Sequence, residues 1–370
     1  MKHWKRASAT LFCALLLLLI VWLLPRLTGD ASIPGLTPTE RTLLRIWAVD
    51  SPGGGLAWLK GQLRAFEKQH PGISTYLRSV SADELTNPDA LLPDVVLYMP
   101  SSLTEPQEVF LPLRGDGTSA IREELLRCGR WQTRQYGLPL CYGAWVLCID
   151  SALEPGSALT PAPTTLLGRP AATPSTSATA EPGYPLEAAS QTECPLQSPG
   201  GCALFALSGL LTASPPLPEG FGALSSEAVY GAFQRRQCAS AMLTTGQETA
   251  FAALVSGGGG FPFRTMVPAE IITDQVWLGS ITQDAPREAA LLLSHLTSPE
   301  AQRALSHQGL HTVRDDLTLY AAGTSALVEQ SATRSLTAIN AYQVKTQVES
   351  AAWQHFQGTL DKSEALLPLL

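Results

Sequence analysis

Between Leu43 and Met99 the hydrophobic pattern changes period twice, and that alternation constrains the fold more than any other feature of the chain. Leu43 to Val49 is a short apolar run of strand length, closed by the turn Ser51-Pro52-Gly53-Gly54-Gly55. Leu56, Leu59, Leu63 and Phe66 then recur at helical spacing until His70-Pro71-Gly72 stops the helix. Pro93-Asp94 introduces a second buried run, Val95 to Met99, ended by Pro100. Strand, helix and strand in that order predict a parallel sheet with both faces covered, the α/β class. The chain has 370 residues, more than one hydrophobic core usually holds, so two lobes are expected.

Further along, a helix is expected around Val229 and Phe233, a strand at Cys238–Leu243, a four-glycine loop at Gly257–Gly260 and a strand at Val276–Ile281. A pair of helices follows over Asp284–Gly309. Ala289, Leu292, Leu293 and Leu296 line the first; Ser298-Pro299-Glu300 supplies an N-cap, a first-turn proline and an acid for the second. The stretch 151–220 has another character. It holds 12 of the 28 prolines, one basic residue and five acidic ones, and reads as an irregular surface insertion.

The N-terminus has the order of an export signal. Lys2, Lys5 and Arg6 precede an apolar run of 16 residues, Ala9 to Leu24, which Pro25 and Arg26 end. Residues 1–31 therefore read as a signal peptide, with cleavage possible after Ala31, or as a membrane anchor, and 32–41 as a polar spacer. Positive charge before the run places the bulk of the chain outside the cytoplasmic membrane, anchored or secreted. Export permits disulfides, and Cys194 and Cys202 can pair. Cys141 and Cys148 lie on one expected strand, about 23 Å apart and on opposite faces, too far to bridge.

A net charge of −7 and no basic cluster beyond the first six residues argue against nucleic acid as a partner. Catalytic signatures are missing: no Gly-x-Ser-x-Gly elbow, no His-Glu-x-x-His, no Walker-type phosphate loop. His307 and His311 are four apart, but Gly309 between them breaks the helix a metal pair would need. Single carboxylates such as Asp50 and Asp94 cannot be assigned as acid and base from sequence. Binding is better supplied. Trp47, Trp58, Trp131, Trp145, Trp277 and Trp353, with Tyr98, Tyr136 and Tyr142, include several at expected strand ends, where an open α/β sheet places its ligand crevice.

Five ordered blocks resemble the family 1 extracellular solute-binding proteins of ABC importers, the maltose-binding-protein-like group. They are Leu44-Arg45-Ile46-Trp47 with Ala65-Phe66-Glu67-Lys68-Gln69-His70-Pro71-Gly72-Ile73; Pro93-Asp94-Val95-Val96-Leu97; Tyr136-Gly137-Leu138-Pro139-Leu140-Cys141-Tyr142-Gly143; Ala241-Met242-Leu243-Thr244-Thr245-Gly246; and Glu288 through Gln302 to Asp316. The resemblance implies a two-lobed periplasmic-binding-protein-like fold of type II. Lobe 1 would comprise 42–148 and 265–316, and lobe 2 would comprise 149–264 and 317–370. It places Trp47, Asp50 and Ser51 on the first cleft loop and Tyr98 to Ser101 on the second. Tyr142 falls on the crossing segment, Thr245 to Glu248, with Gly246 between them, on the far-lobe loop, and Trp277 on the returning strand. It implies a monomer that captures a small polar solute, by default a carbohydrate, and hands it to ABC permease subunits, with no cofactor and no catalysis. Glu248 stands where the family often carries a tryptophan, which removes one stacking platform. A membrane-anchored sensor or scaffold that kept the fold and lost the ligand is the alternative.

Overall fold

The computed structural model describes residues 41–85, 91–100, 103, 105–113, 119–151, 226–236, 240–342 and 354. The N-terminal segment 1–31, the insertion beyond Ser151, Ser101, Cys194 and Cys202 lie outside them. The chain divides after Thr42, and apart from Arg41 and Thr42 everything described belongs to the unit Leu43–Leu370.

The alternating pattern becomes β1 (Thr42–Val49), α1 (Gly55–Gln69), β2 (Ile73–Val80), the short α2 (Ala82–Leu85) and β3 (Val95–Tyr98). Gly54 caps α1 in the left-handed region at φ 84°, and the helix buries Trp58, Leu59, Leu63 and Phe66. Leu56 is only partly covered; Trp58 takes the core position, and its indole N–H donates to the Ala301 carbonyl at 2.9 Å. The strand β2 carries no clean alternation, because it lies at one edge of the sheet.

Next come α3 (Glu123–Cys128), the paired short strands β4 (Arg130–Trp131) and β5 (Arg134–Gln135), β6 (Leu138–Tyr142) and β7 (Trp145–Asp150). The second half contributes α4 (Ser226–Gln234), β8 (Ser240–Thr244), α5 (Thr245–Ser256), β9 (Phe263–Met266), β10 (Ile271–Thr273) and β11 (Val276–Ile281). It closes with α6 (Glu288–Leu296), α7 (Pro299–Arg303), α8 (Gly323–Arg334) and β12 (Leu336–Ala338).

The principal sheet has the order β2-β1-β3-β11-β6. The strands β1 and β3 are parallel, as expected, but β11 runs antiparallel to both of its neighbours, so the sheet is mixed. Asp94 ties its start together: the carboxylate accepts from the Arg45 backbone N–H at 2.7 Å and from its guanidinium at 2.9 Å. Helix α6 covers this sheet with the four residues read from sequence, Ala289, Leu292, Leu293 and Leu296. It comes so near β11 that a Cβ at Gly279 would stand 2.8 Å from Leu293. Ser298 caps α7 by accepting from the Ala301 N–H.

A second sheet, β8-β7-β9, is antiparallel throughout. Phe233, Phe251, Phe261 and Phe263 pack edge to face on it at centroid distances of 5.0–6.4 Å. Cys141 and Cys148 therefore sit on different strands of different sheets. Gly143 and Ala144 break the run expected to be one strand, and both thiols are free and buried. Among the described residues no helix is long and apolar enough to cross a membrane.

Candidate ligand cleft

Parallel neighbours leave their C-terminal ends side by side, and Val49 pairs with Tyr98 where β1 and β3 end. That edge is where an open α/β sheet offers its crevice. Asp50, immediately beyond β1, holds the left-handed conformation at φ 47° and is exposed, followed by half-buried Ser51 and the turn into α1. Beyond β3, Met99 and Pro100 form the neighbouring half-buried rim.

The opposing wall comes from the second sheet. The segment read as a far-lobe loop at Thr245 to Glu248 is instead the first turn of α5. Thr244 builds a capping box: its hydroxyl accepts from the Gln247 N–H while the Gln247 side chain accepts from the Thr244 N–H. This turn meets the loop after β1 directly. A Cβ at Gly246 would lie 2.5 Å from the Gly53 carbonyl oxygen.

Behind the junction run three connecting segments. The Gly143 N–H donates to the Gln275 carbonyl at 2.7 Å, and the Thr273 hydroxyl donates to the Gly143 carbonyl at 2.8 Å. Tyr142 and His311 exchange backbone hydrogen bonds at 2.8 and 3.2 Å. Gln302 fixes the third segment with its whole amide: the NH2 donates to Leu140 and Leu296 carbonyls, and the oxygen accepts from the Thr312 hydroxyl and the Val313 N–H.

Asp50 and Ser51 thus come three and two positions before Gly53, the residue that meets Gly246. The aromatic residues assigned to the cleft are close in sequence register but covered. Trp47 is 7% exposed, with the Arg78 guanidinium 5.7 Å from its ring centroid. Tyr98 is fully buried, and its hydroxyl shares hydrogen bonds with Ser280 at 2.9 Å and Tyr342 at 2.7 Å. The ring of Tyr142 packs on His311 at 5.1 Å. Trp277 is fully buried 6.4 Å from Trp58 and beneath Gly55, and its indole N–H has no partner among the described residues. The physical reason is common to all four: a sheet covered on both faces takes its large rings inside even near strand ends. Glu248 is also buried. Its carboxylate accepts from the Thr265 hydroxyl of β9 and the Thr324 hydroxyl of α8, and burial raises its pKa despite those bonds.

Sequence reasoning placed Gly53 in the turn before α1 but not its backbone contact with Gly246, and it missed the buried polar cluster behind that contact. Thr244-x-x-Gln247 was a readable signal for α5; the cluster left no linear signal. It gathers His311, Glu329, Tyr142, Tyr320 and Arg122. His311 is fully buried, neither ring nitrogen has a hydrogen-bond partner among the described residues, and its Nδ1 stands 3.9 Å from the Glu329 carboxylate, too far to bond. Burial lowers its pKa below the ordinary 6.5, against the opposing pull of Glu329. A histidine with a depressed folded pKa stabilises the fold fully above about 6.5 and loses that contribution as pH falls towards the folded value. Glu248 acts with the opposite sign, disfavouring the fold as pH rises above 4.5. The expected result is a melting temperature that falls between pH 6.5 and pH 5 more steeply in the unchanged protein than in His311→Gln. Identical pH profiles in calorimetry would refute it. Among the described residues no three His, Cys, Asp or Glu side chains gather in a metal-holding group; His307 is exposed while His311 is buried.

Two sheets joined by three segments, with the C-terminal ends of β1 and β3 side by side, make a two-lobed α/β fold of the periplasmic-binding-protein type. Known structures share it. The GacH receptor of Streptomyces glaucescens, solved unliganded and with acarbose, aligns at a TM-score of 0.59 and 14% identity, over 89% of this chain and 96% of that one. The maltose/maltodextrin-binding domain MalE from Bdellovibrio bacteriovorus, bound to maltotriose, aligns at 0.56 and 14%, over 88% and 96%. Iron-bound HitA from Pseudomonas aeruginosa aligns at 0.55 and 13%, over 85% and 99%. At these identities the likeness establishes the fold alone. No family model matches the sequence, and no curated protein matches it.

Proposed function

We propose that the protein is the extracytoplasmic solute-binding component of an ABC importer, a clamp that captures a small polar solute, with carbohydrate the first class to test. The observation that carries this reading is the meeting of two walls from different sheets, the loop after β1 and the first turn of α5, in front of three connecting segments. A ligand that touches both walls favours the closed arrangement over the open one, which is how such a clamp senses its cargo. Several proteins of the same fold are described with bound oligosaccharides, which supports the substrate class; iron-bound HitA shows that the fold also serves a different cargo.

In this reading Asp50, Ser51 and Ser101 supply polar contacts at the cleft rim and Gly246 stands where the walls meet, while the covered Trp47, Tyr98, Tyr142, Trp277 and Glu248 support those walls from behind. The protein works outside the cytoplasmic membrane, exported by its N-terminal segment, delivers to permease subunits and catalyses nothing. A solute that binds only the folded protein raises its melting temperature by mass action, by about 2.7 kcal/mol of stability at 100 times its dissociation constant. Thermal-shift measurements on the purified protein with mono- and oligosaccharides, polyols, amino acids and ferric iron are expected to give saturable shifts with a sugar. Shifts with iron or an amino acid only would replace the substrate class, and none at all would remove the transport reading.

A further inference from the structure

We infer that Gly246 is a closure stop, the point where the first turn of α5 meets the backbone of the loop after β1 and sets how narrow the cleft becomes. A Cβ at this position would stand 2.5 Å from the Gly53 carbonyl oxygen, 3.0 Å from its carbon and 3.2 Å from its Cα. All three atoms are backbone, so no side-chain rotation relieves them.

Glycine is not needed at 246 for the chain's own conformation. The left-handed glycines are Gly54, Gly258, Gly260, Gly309 and Gly323, and Gly246 is not among them. Alanine is the better helix former, so local helix preference does not call for glycine in the first turn of α5. Approach to Gly53 is the constraint that explains it. Gly309 grips the same turn from the other side, against the Thr245 carbonyl and Thr249, but its φ of 66° calls for glycine independently. The contact is also asymmetric. A Cβ at Gly53 would have its nearest neighbours, all in the Gly246–Gln247 backbone, at 3.6 Å or beyond, an ordinary packing distance.

The stop acts close to the pivot. The Thr245 N–H donates to the Ala144 carbonyl at 2.9 Å, and the Ala144 N–H donates to the Thr245 hydroxyl at 3.3 Å, so the start of α5 rides on the β6–β7 connection. A displacement at so short a lever arm becomes a larger one at the cleft mouth. Gly246 therefore sets the thickness of solute that the closed clamp can hold, which deepens the clamp reading and rests on it only for the consequence to the solute.

The test measures opening separately from binding. In the full chain, spin labels are placed at exposed Lys60 on α1 and exposed Leu254 on α5, using unnatural amino acids so that the native cysteines stay. Pulsed electron resonance without added solute is expected to give a longer mean distance in Gly246→Ala, longer still in Gly246→Val, and an unchanged one in Gly53→Ala. Affinity for a solute found by thermal shift should fall roughly tenfold in Gly246→Ala, about 1.4 kcal/mol, because the added methyl overpacks the closed form. A Gly246→Ala distance that superimposes on the parent overturns the stop, whatever the protein binds. So does loss of the folded state in that variant, because the inference requires that only the contact between the walls be disturbed. A lengthened distance with no solute response would keep the stop and remove the transport reading.

Discussion

Replacing Trp277 by alanine is expected to lower the unfolding free energy by about 3–5 kcal/mol, the range for deleting a buried aromatic side chain. The ring is fully buried on the interior strand β11, between the start of α1 and Trp58. Its removal opens a cavity beneath Gly55, where the helix cannot sink because Gly54 and the turn from Pro52 hold its start; the Gly55 N–H donates to the Pro52 carbonyl at 2.8 Å. One term reduces the cost. The indole N–H is buried without a partner among the described residues, so its loss relieves a desolvation penalty. Trp277→Phe, which keeps much of the volume and drops that donor, should consequently lose far less than Trp277→Ala. Urea unfolding followed by circular dichroism measures both. A Trp277→Ala protein within 1 kcal/mol of its parent would mean that the ring is not a core element and is free to meet a solute.

The second large effect is expected at Asp150. Its carboxylate is fully buried at the end of β7 and takes two hydrogen bonds from the Arg236 guanidinium, at 2.7 and 3.2 Å. Arg236 lies with its guanidinium carbon 4.7 Å from the centroid of the Phe261 ring and keeps a quarter of its side chain in solvent. Asp150→Ala leaves that cation partly buried without this counter-ion. The expected cost is about 3 kcal/mol, at the low end for breaking a buried pair because Arg236 can partly hydrate. Replacing both residues, Asp150→Ala with Arg236→Met, should recover part of the loss, since the Arg236 cation is then removed together with the carboxylate it binds. A double variant as unstable as the sum of the two single ones would show that the residues act independently.

Much of the fold was legible because it is written in local period and punctuation. The face Ala289, Leu292, Leu293 and Leu296, the Ser298 cap and the strand Val276–Ile281 were readable from spacing alone, and the structure places each as expected. The strand β2 was not, since Ile73–Val80 at a sheet edge mixes buried and exposed positions without alternation. The break at Gly143-Ala144 was hidden for a different reason: two buried strands separated by two small residues read as one apolar run. The candidate site was less legible. Asp50 lies exposed just beyond β1 and Gly246 meets Gly53, but no linear pattern says whether a tryptophan at a strand end turns in or out. Burial depends on what returns to cover it, and for Tyr98 that is Tyr342, 244 positions further along the chain.

The antiparallel strand β11 occupies the interior of the principal sheet, between β3 and β6, although it is made 134 positions after β6 has ended. A chain elongating from its N-terminus therefore presents β3 and β6 with their inner edges unfilled until Val276–Ile281 emerges, while the β8-β7-β9 sheet already has all its strands by Met266. The later-numbered sheet can assemble before the earlier one. Long-range pairing of this kind is slow to close and leaves strand edges open to other chains meanwhile. Any shortened form ending before Val276 should accordingly aggregate through those two edges rather than persist as a smaller folded body.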